Sequence, residues 1–234
     1  MPAAQRHAAP EIRGGTGAAV LVGATVTAGA GWLAMSTLEE QRAASWVISR
    51  ASGLTSYVLL VALVVMGLVL AHPWARRLRW PSPGMRLALH ASLATFTLMF
   101  TGLHIVVVAS DPWAGVGWAG ALVPLASGYR PVAVTLGVLA LWAGLVTGVT
   151  ARLAGRLAAR VWFPVHRIAS GTLALVWAHA VLAGTDTAAL TGFYVTTGAL
   201  VLALAVSRYT ARTVDDRVRR LAKTLPVRTA APPG

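Results

Sequence analysis

Four histidines sit where imidazole is least expected. HASLATFTLMFTGLH, residues 90–104, begins and ends on histidine, and so does HRIASGTLALVWAH, residues 166–179. Between His90 and His104 the only polar side chains are Ser92, Thr95, Thr97 and Thr101, none of them charged. An imidazole in such surroundings must find a partner or cost stability. The chemistry open to it is ligation of a metal through a ring nitrogen, or transfer of a proton. The other two histidines read differently. His7 lies in the N-terminal stretch and His72 at the end of an apolar run beside Pro73, positions that suit a solvated or structural role.

The elements that must carry these side chains follow from composition. Of 234 residues 56% are hydrophobic and only 12% charged, about half the charge of an ordinary soluble domain. Runs nearly free of charge fall near residues 16–36, 54–72, 87–109, 131–151, 161–183 and 188–207. Each is long enough to cross about 30 Å of hydrocarbon as a helix. Lipid offers the backbone no outside partner, so the spans must be helical. The expectation is an all-α, polytopic membrane protein: a bundle of six transmembrane helices over 16–208, a tail over 1–15 and a basic tail over 209–234. The first run follows basic residues and ends near AGAGWLA, like a secretory signal peptide. It exceeds the core of such a signal, so a retained first helix is expected. From 211 onward a basic amphipathic or disordered extension is expected. Zero cysteines exclude disulfides, thiolate metal sites and iron–sulfur clusters.

The net charge of +13 could suggest nucleic acid, but its distribution indicates topology. Arg76, Arg77, Arg79 and Arg86 lie between spans two and three, Arg152, Arg156 and Arg160 between four and five, and Arg167 just inside the fifth. The C-terminal tail is strongly basic too, from Arg208 to Arg228. The alternate loops are balanced: Glu39 and Glu40 with Arg42 and Arg50, then Asp111 with Arg130, then Asp186 alone. By the positive-inside rule both termini are cytoplasmic. The partners expected are the lipid bilayer and its anionic headgroups, with no nucleic acid. The location expected is a bacterial cytoplasmic membrane.

Depth then sorts the histidines. His90 and His104 are about 21 Å apart along a helix and within about 40° of one face, and His166 and His179 about 19.5 Å apart. Spans three and five both run outward, so His90 and His166 share the inner level, His104 and His179 the outer. Two cross-helix pairs result. Bare zinc or copper wants more ligands than two imidazoles, and intramembrane proton relays usually include Asp or Glu. An iron porphyrin brings four equatorial nitrogens and needs two axial ligands, so two haems stacked across the bilayer fit the pattern. The spacing in span five fits less well, because 13 residues fall about 140° short of whole turns. A distortion near Ser170 or Gly171 is expected there.

The helix order and the paired histidines resemble the ferric reductase-like transmembrane domain. That superfamily includes NADPH oxidases, ferric reductases and the haem subunit of a bacterial methionine sulfoxide reductase system. The resemblance covers about residues 45–185. WVISRASGLTSYVLL, 46–60, is similar to the arginine-bearing start of the family's second helix, and VWFPVHRIASGTLALVWAHAVLAGTD, 161–186, to its fifth. It implies haem b, bound twice between histidines, with His90 and His166 on the inner haem and His104 and His179 on the outer. Arg50 falls where the family places an arginine near the outer haem; an interfacial anchor is its other reading. Arg86 and Arg167 are candidates for inner-haem propionates or ordinary positive-inside residues.

Family enzymes carry a flavin and nicotinamide domain after the sixth helix, and residues 208–234 hold nothing able to bind either cofactor. The electron donor is therefore expected to be a separate cytoplasmic reductase, a flavin at the inner face or a membrane quinol. The acceptor at the outer face is open. The expected function is transmembrane electron transfer by an oxidoreductase or oxidoreductase subunit. The alternatives are a haem-binding anchor for a partner reductase and a small metal or proton transporter.

Topology is the first thing to check. Reporters fused between spans two and three, or four and five, should appear in the cytoplasm, and one fused between three and four outside. Two neighbouring fusions on one side would abolish the inner and outer levels.

Overall fold

The computed structural model describes residues 42–153 and 159–224, together with Thr25. The first expected span, 16–36, therefore lies outside the described residues except for that threonine. Every regular element among the described residues is helical. In chain order they are α1 (Arg42–Leu70), a 3-10 helix (Pro73–Arg77), α2 (Pro83–Ser110), the short α3 (Gly117–Leu122), α4 (Pro131–Arg152), α5 (Ala159–Ala183) and α6 (Thr187–Thr224). Five are long and apolar enough to cross a membrane: Ala44–Leu70, Pro83–Ser110, Pro131–Arg152, Pro164–Ala183 and Thr187–Ala211. The chain is a multi-pass, all-helical membrane protein.

Local sequence explains where the helices begin. The 3-10 helix, α2 and α4 each open on proline, whose missing N–H is an orphan at that position anyway. Ser82 caps α2 by accepting the Met85 N–H (3.3 Å). α1 starts well before the apolar run expected at 54–72. Ser49, Arg50 and Ser52 interrupt the hydropathy but not the helix, since both serine hydroxyls donate to carbonyls of their own turn, Trp46 at 2.9 Å and Ile48 at 2.7 Å. α6 runs past the last span to Thr224, into the expected tail. Val214, Val218 and Leu221 keep a helical apolar spacing there.

The threonines of the histidine-bounded stretch are accounted for in the same way. Thr95, Thr97 and Thr101 donate to the carbonyls of Ala91, Leu93 and Thr97 at 3.1, 2.7 and 2.8 Å. A hydroxyl that bonds its own helix can sit in hydrocarbon without further partners.

The bundle is built from two antiparallel hairpins, α1 with α2 and α4 with α5, with α6 packed on α1 and α5. Tyr57 on α1, 2% exposed, is the centre of the join with α5 and α6, among Leu60, Val61, Leu173 and Tyr194. Its ring meets Phe193 and Tyr194 edge-on at 5.6 and 5.3 Å. Its hydroxyl shares a hydrogen bond with Thr197 Oγ1 at 2.6 Å, so its polar end is satisfied as well. A second cluster, Ala109, Val116, Ala121, Val134 and Val138, holds α3 between α2 and α4. Large apolar side chains such as Val58, Phe96, Leu139 and Leu202 point outward, as a lipid-facing surface requires.

Candidate functional site

α2 and α5 face each other across a cavity that all four histidines line. The rings of His90 and His166 face each other with centroids 6.1 Å apart and planes at 69°. His104 lies within electrostatic reach of His179. The two helices therefore run parallel, and each histidine has the partner expected for its level. Pro164 lies inside α5, two residues before His166. A proline in a helix removes a backbone bond, here the one to residue 160, so it acts before His166 and not on the spacing between His166 and His179.

The rings are held against helix backbone. His104 Nδ1 lies 2.8 Å from the Ser49 carbonyl on α1, and His179 Nδ1 lies 2.8 Å from the Ala133 carbonyl on α4. A carbonyl can only accept, so both Nδ1 atoms carry the proton and both Nε2 atoms keep a free lone pair. Four residues beyond each carbonyl stands a glycine, Gly53 and Gly137. A helical side chain leans toward the N-terminus and covers the preceding turn, so glycine at that place uncovers the carbonyl. A Cβ at Gly53 would lie 2.9 Å from His104 Nδ1, and one at Gly137 2.9 Å from His179 Nδ1 and Cε1. Gly67 repeats the arrangement at the other level, where a Cβ would lie 3.3 Å from His90 Cε1. His90 has the backbone of Leu63, again four residues before the glycine, as its neighbour, though Nδ1 makes no hydrogen bond of standard geometry. The glycines escaped sequence reading, yet a signal was present: Gly53 and Gly67 repeat on α1 the spacing of His90 and His104 on α2.

All four histidines line one cavity of about 3060 Å³, several times the roughly 300–1,000 Å³ of a pocket for one small ligand. Among the described residues its charged lining stands at the ends. Near His104 and His179 are Arg50 and Asp186; at the other end are Arg77, Arg152 and Arg208. Arg208 is fixed there by the Ala71 carbonyl at 3.4 Å and lies over the Tyr209 ring, 5.3 Å from its centroid.

The expected arginines have other neighbours. Arg50 is ion-paired with Asp186, hydrogen-bonded to Thr185 and stacked on Trp46 at 4.7 Å. It ties α1 to the turn between α5 and α6. Arg130 and Tyr129 reach the same turn from the start of α4, through the carbonyls of Leu182 (2.7 Å) and Ala183 (2.9 Å), a favourable place for a cation at a helix C-terminus. Arg86 is buried beside the 3-10 helix, where it donates to the Ala75 carbonyl at 2.8 Å. Arg167 belongs to α5, but its side chain lies outside what is described. His72 is structural, capping the 3-10 helix and sharing a hydrogen bond with Ser207 at 3.2 Å.

The donor set bears on what the histidines could hold. Among the described residues no three His, Asp or Glu side chains gather as a metal site. Each level offers two imidazoles, which suits a metal whose other ligands come with it. No family model, curated protein or solved structure matches the chain.

The glycine contacts can be tested without any ligand. Gly53→Ala and Gly137→Ala should each lower stability by about 1–3 kcal/mol through overpacking, read as thermal unfolding in detergent. Gly102→Ala and Gly192→Ala, with nothing within 4 Å of the new Cβ, should be neutral or stabilising. Equal shifts at all four sites would contradict the packing described.

Proposed function

We propose that this chain is a transmembrane haem b protein, similar to the ferric reductase-like membrane domains, that carries electrons from the cytoplasmic to the outer face of a bacterial cytoplasmic membrane. The observation supporting it is that all four histidines line a single cavity at two levels, His90 against His166 at one and His104 with His179 at the other. His90 and His166 would hold one haem, His104 and His179 the other. Bound haem supplies reversible one-electron chemistry at iron.

The chain's own residues would do the rest. The Ser49 and Ala133 carbonyls fix the tautomer of His104 and His179, aim Nε2 and raise its basicity. Gly53, Gly67 and Gly137 let the rings lie against the helices. Between the levels the described cavity wall is uncharged, with Leu60, Leu63, Leu98 and Leu141 among its residues. At the basic end Arg77, Arg152 and Arg208 would face the donor: a cytoplasmic reductase, a flavin or a quinol. In this reading Arg50 holds the turn after His179 through Asp186. Arg86 braces the loop before α2.

The pairing is the test. His104→Leu and His179→Leu should each remove the same one of two haem components, and the double variant no more than either alone, as expected of ligands acting as a unit. His90→Leu should instead match His166→Leu. Haem per chain by pyridine haemochrome, with redox titration, distinguishes the components. If His104→Leu and His166→Leu removed the same component, the pairing would be wrong; full haem in all four variants would refute the proposal.

A further inference from the structure

The connection between α2 and α4 reads in sequence as an ordinary balanced loop, but it folds back on itself. A Cβ at Gly120 would lie 2.7 Å from Ser127 Cα, and one at Gly128 would lie 2.9 Å from the Gly115 carbonyl oxygen. Two backbone limbs are thus in contact. Their tip is Leu122–Val123–Pro124–Leu125–Ala126, without a polar side chain. Val123 and Leu125 are 53% and 67% exposed.

Two hydrogen bonds set the depth of the tip. The Leu125 N–H donates to Thr135 Oγ1 at 2.8 Å, and Trp142 Nε1 donates to the Leu122 carbonyl at 3.1 Å. Thr135 and Trp142 lie about one and three turns into α4, or about 6 and 16 Å below its first residue. The tip is therefore alongside the span, level with Ala133 and Gly137, which hold His179. The exposed side of α4 beside it, Val132, Leu139, Trp142 and Val146, is apolar as well.

The backbone is prepared for a dry setting. Val123 N–H donates to the Ala119 carbonyl at 2.8 Å, Ala126 N–H to Val123 at 3.3 Å, and Leu125 N–H to Thr135. Pro124 has no N–H to satisfy. Irregular backbone survives at membrane depth only when the protein itself supplies its partners. Leu125 also has φ 64°, a left-handed conformation in which an aqueous turn favours Gly or Asn. A leucine there suits a side chain that must remain apolar.

We infer that residues 117–126 are a re-entrant segment whose apolar tip is seated in the acyl chains of the leaflet at the His104/His179 end. The partner is lipid, because the tip continues the lipid-facing surface of α4 and carries no group that would select a protein. Its opposite side, through Val116 and Ala121, lines the cavity, so the segment closes the gap between α2 and α4 at the level of that histidine pair. This rests on the membrane-spanning helices and is independent of any cofactor.

The chain has no cysteine, so single labels can be placed cleanly. Leu125→Cys, Val123→Cys and the control Pro112→Cys, beside Asp111, would each be labelled with a nitroxide in the full-length protein and reconstituted in phosphatidylcholine–phosphatidylglycerol vesicles. Power-saturation EPR then compares collisions with oxygen, which enters hydrocarbon, and with a nickel chelate, which does not. Labels at 125 and 123 should meet oxygen and lose access to the chelate, while the label at 112 retains it. Chelate access at the tip equal to that at 112 would place it in water and overturn the inference. Loss of access to both reagents would mean that protein, a second copy included, covers the tip, and would overturn it too. Two tip positions guard against one variant failing to fold.

Discussion

An imidazole in hydrocarbon must give its N–H to something, and for His104 and His179 that something is a backbone carbonyl of the neighbouring helix. The carbonyl is already used by its own helix, so only its second lone pair is free. A glycine one turn further on is what leaves that lone pair reachable. From this follow the close approach of α1 to α2 and of α4 to α5, and the orientation of His104 and His179. Both hairpins use the same solution, a histidine on one helix and a glycine on the other.

Electrostatics arrange the rest. The described cavity wall is charged at its two ends and uncharged between them. At one end the charge is balanced locally, Arg50 against Asp186; at the other stand Arg77, Arg152 and Arg208. A fully charged side chain between the histidine levels would be costly.

Much of this was legible in the sequence, and what was not has physical reasons. Hydropathy located α2, α4 and α5 closely, and helix rise with the loop charges set His90 level with His166 and His104 level with His179. Hydropathy misplaced the start of α1, because Ser49 and Ser52 look polar until their hydroxyls are seen to bond their own helix. Arg50 could be placed at a level but not given a partner, since Asp186 is distant in sequence and meets it only through the fold. The glycines were invisible for the opposite reason: their function is an absence of side chain, and only a neighbouring ring reveals it. The re-entrant fold of residues 117–126 depends on contacts of Gly120, Thr135 and Trp142 that no periodicity encodes.

The proposal at the centre of this account is that the two imidazoles at each level would hold one haem iron between them. It is tested most directly by spectroscopy of the wild-type protein purified from haem-replete cells. The expected result is two haems b per chain, a Soret band with sharp α-bands on reduction, low-spin signals, and no change when carbon monoxide is added to the reduced protein. A colourless protein, or a reduced spectrum that shifts with carbon monoxide as an open coordination position would allow, contradicts it.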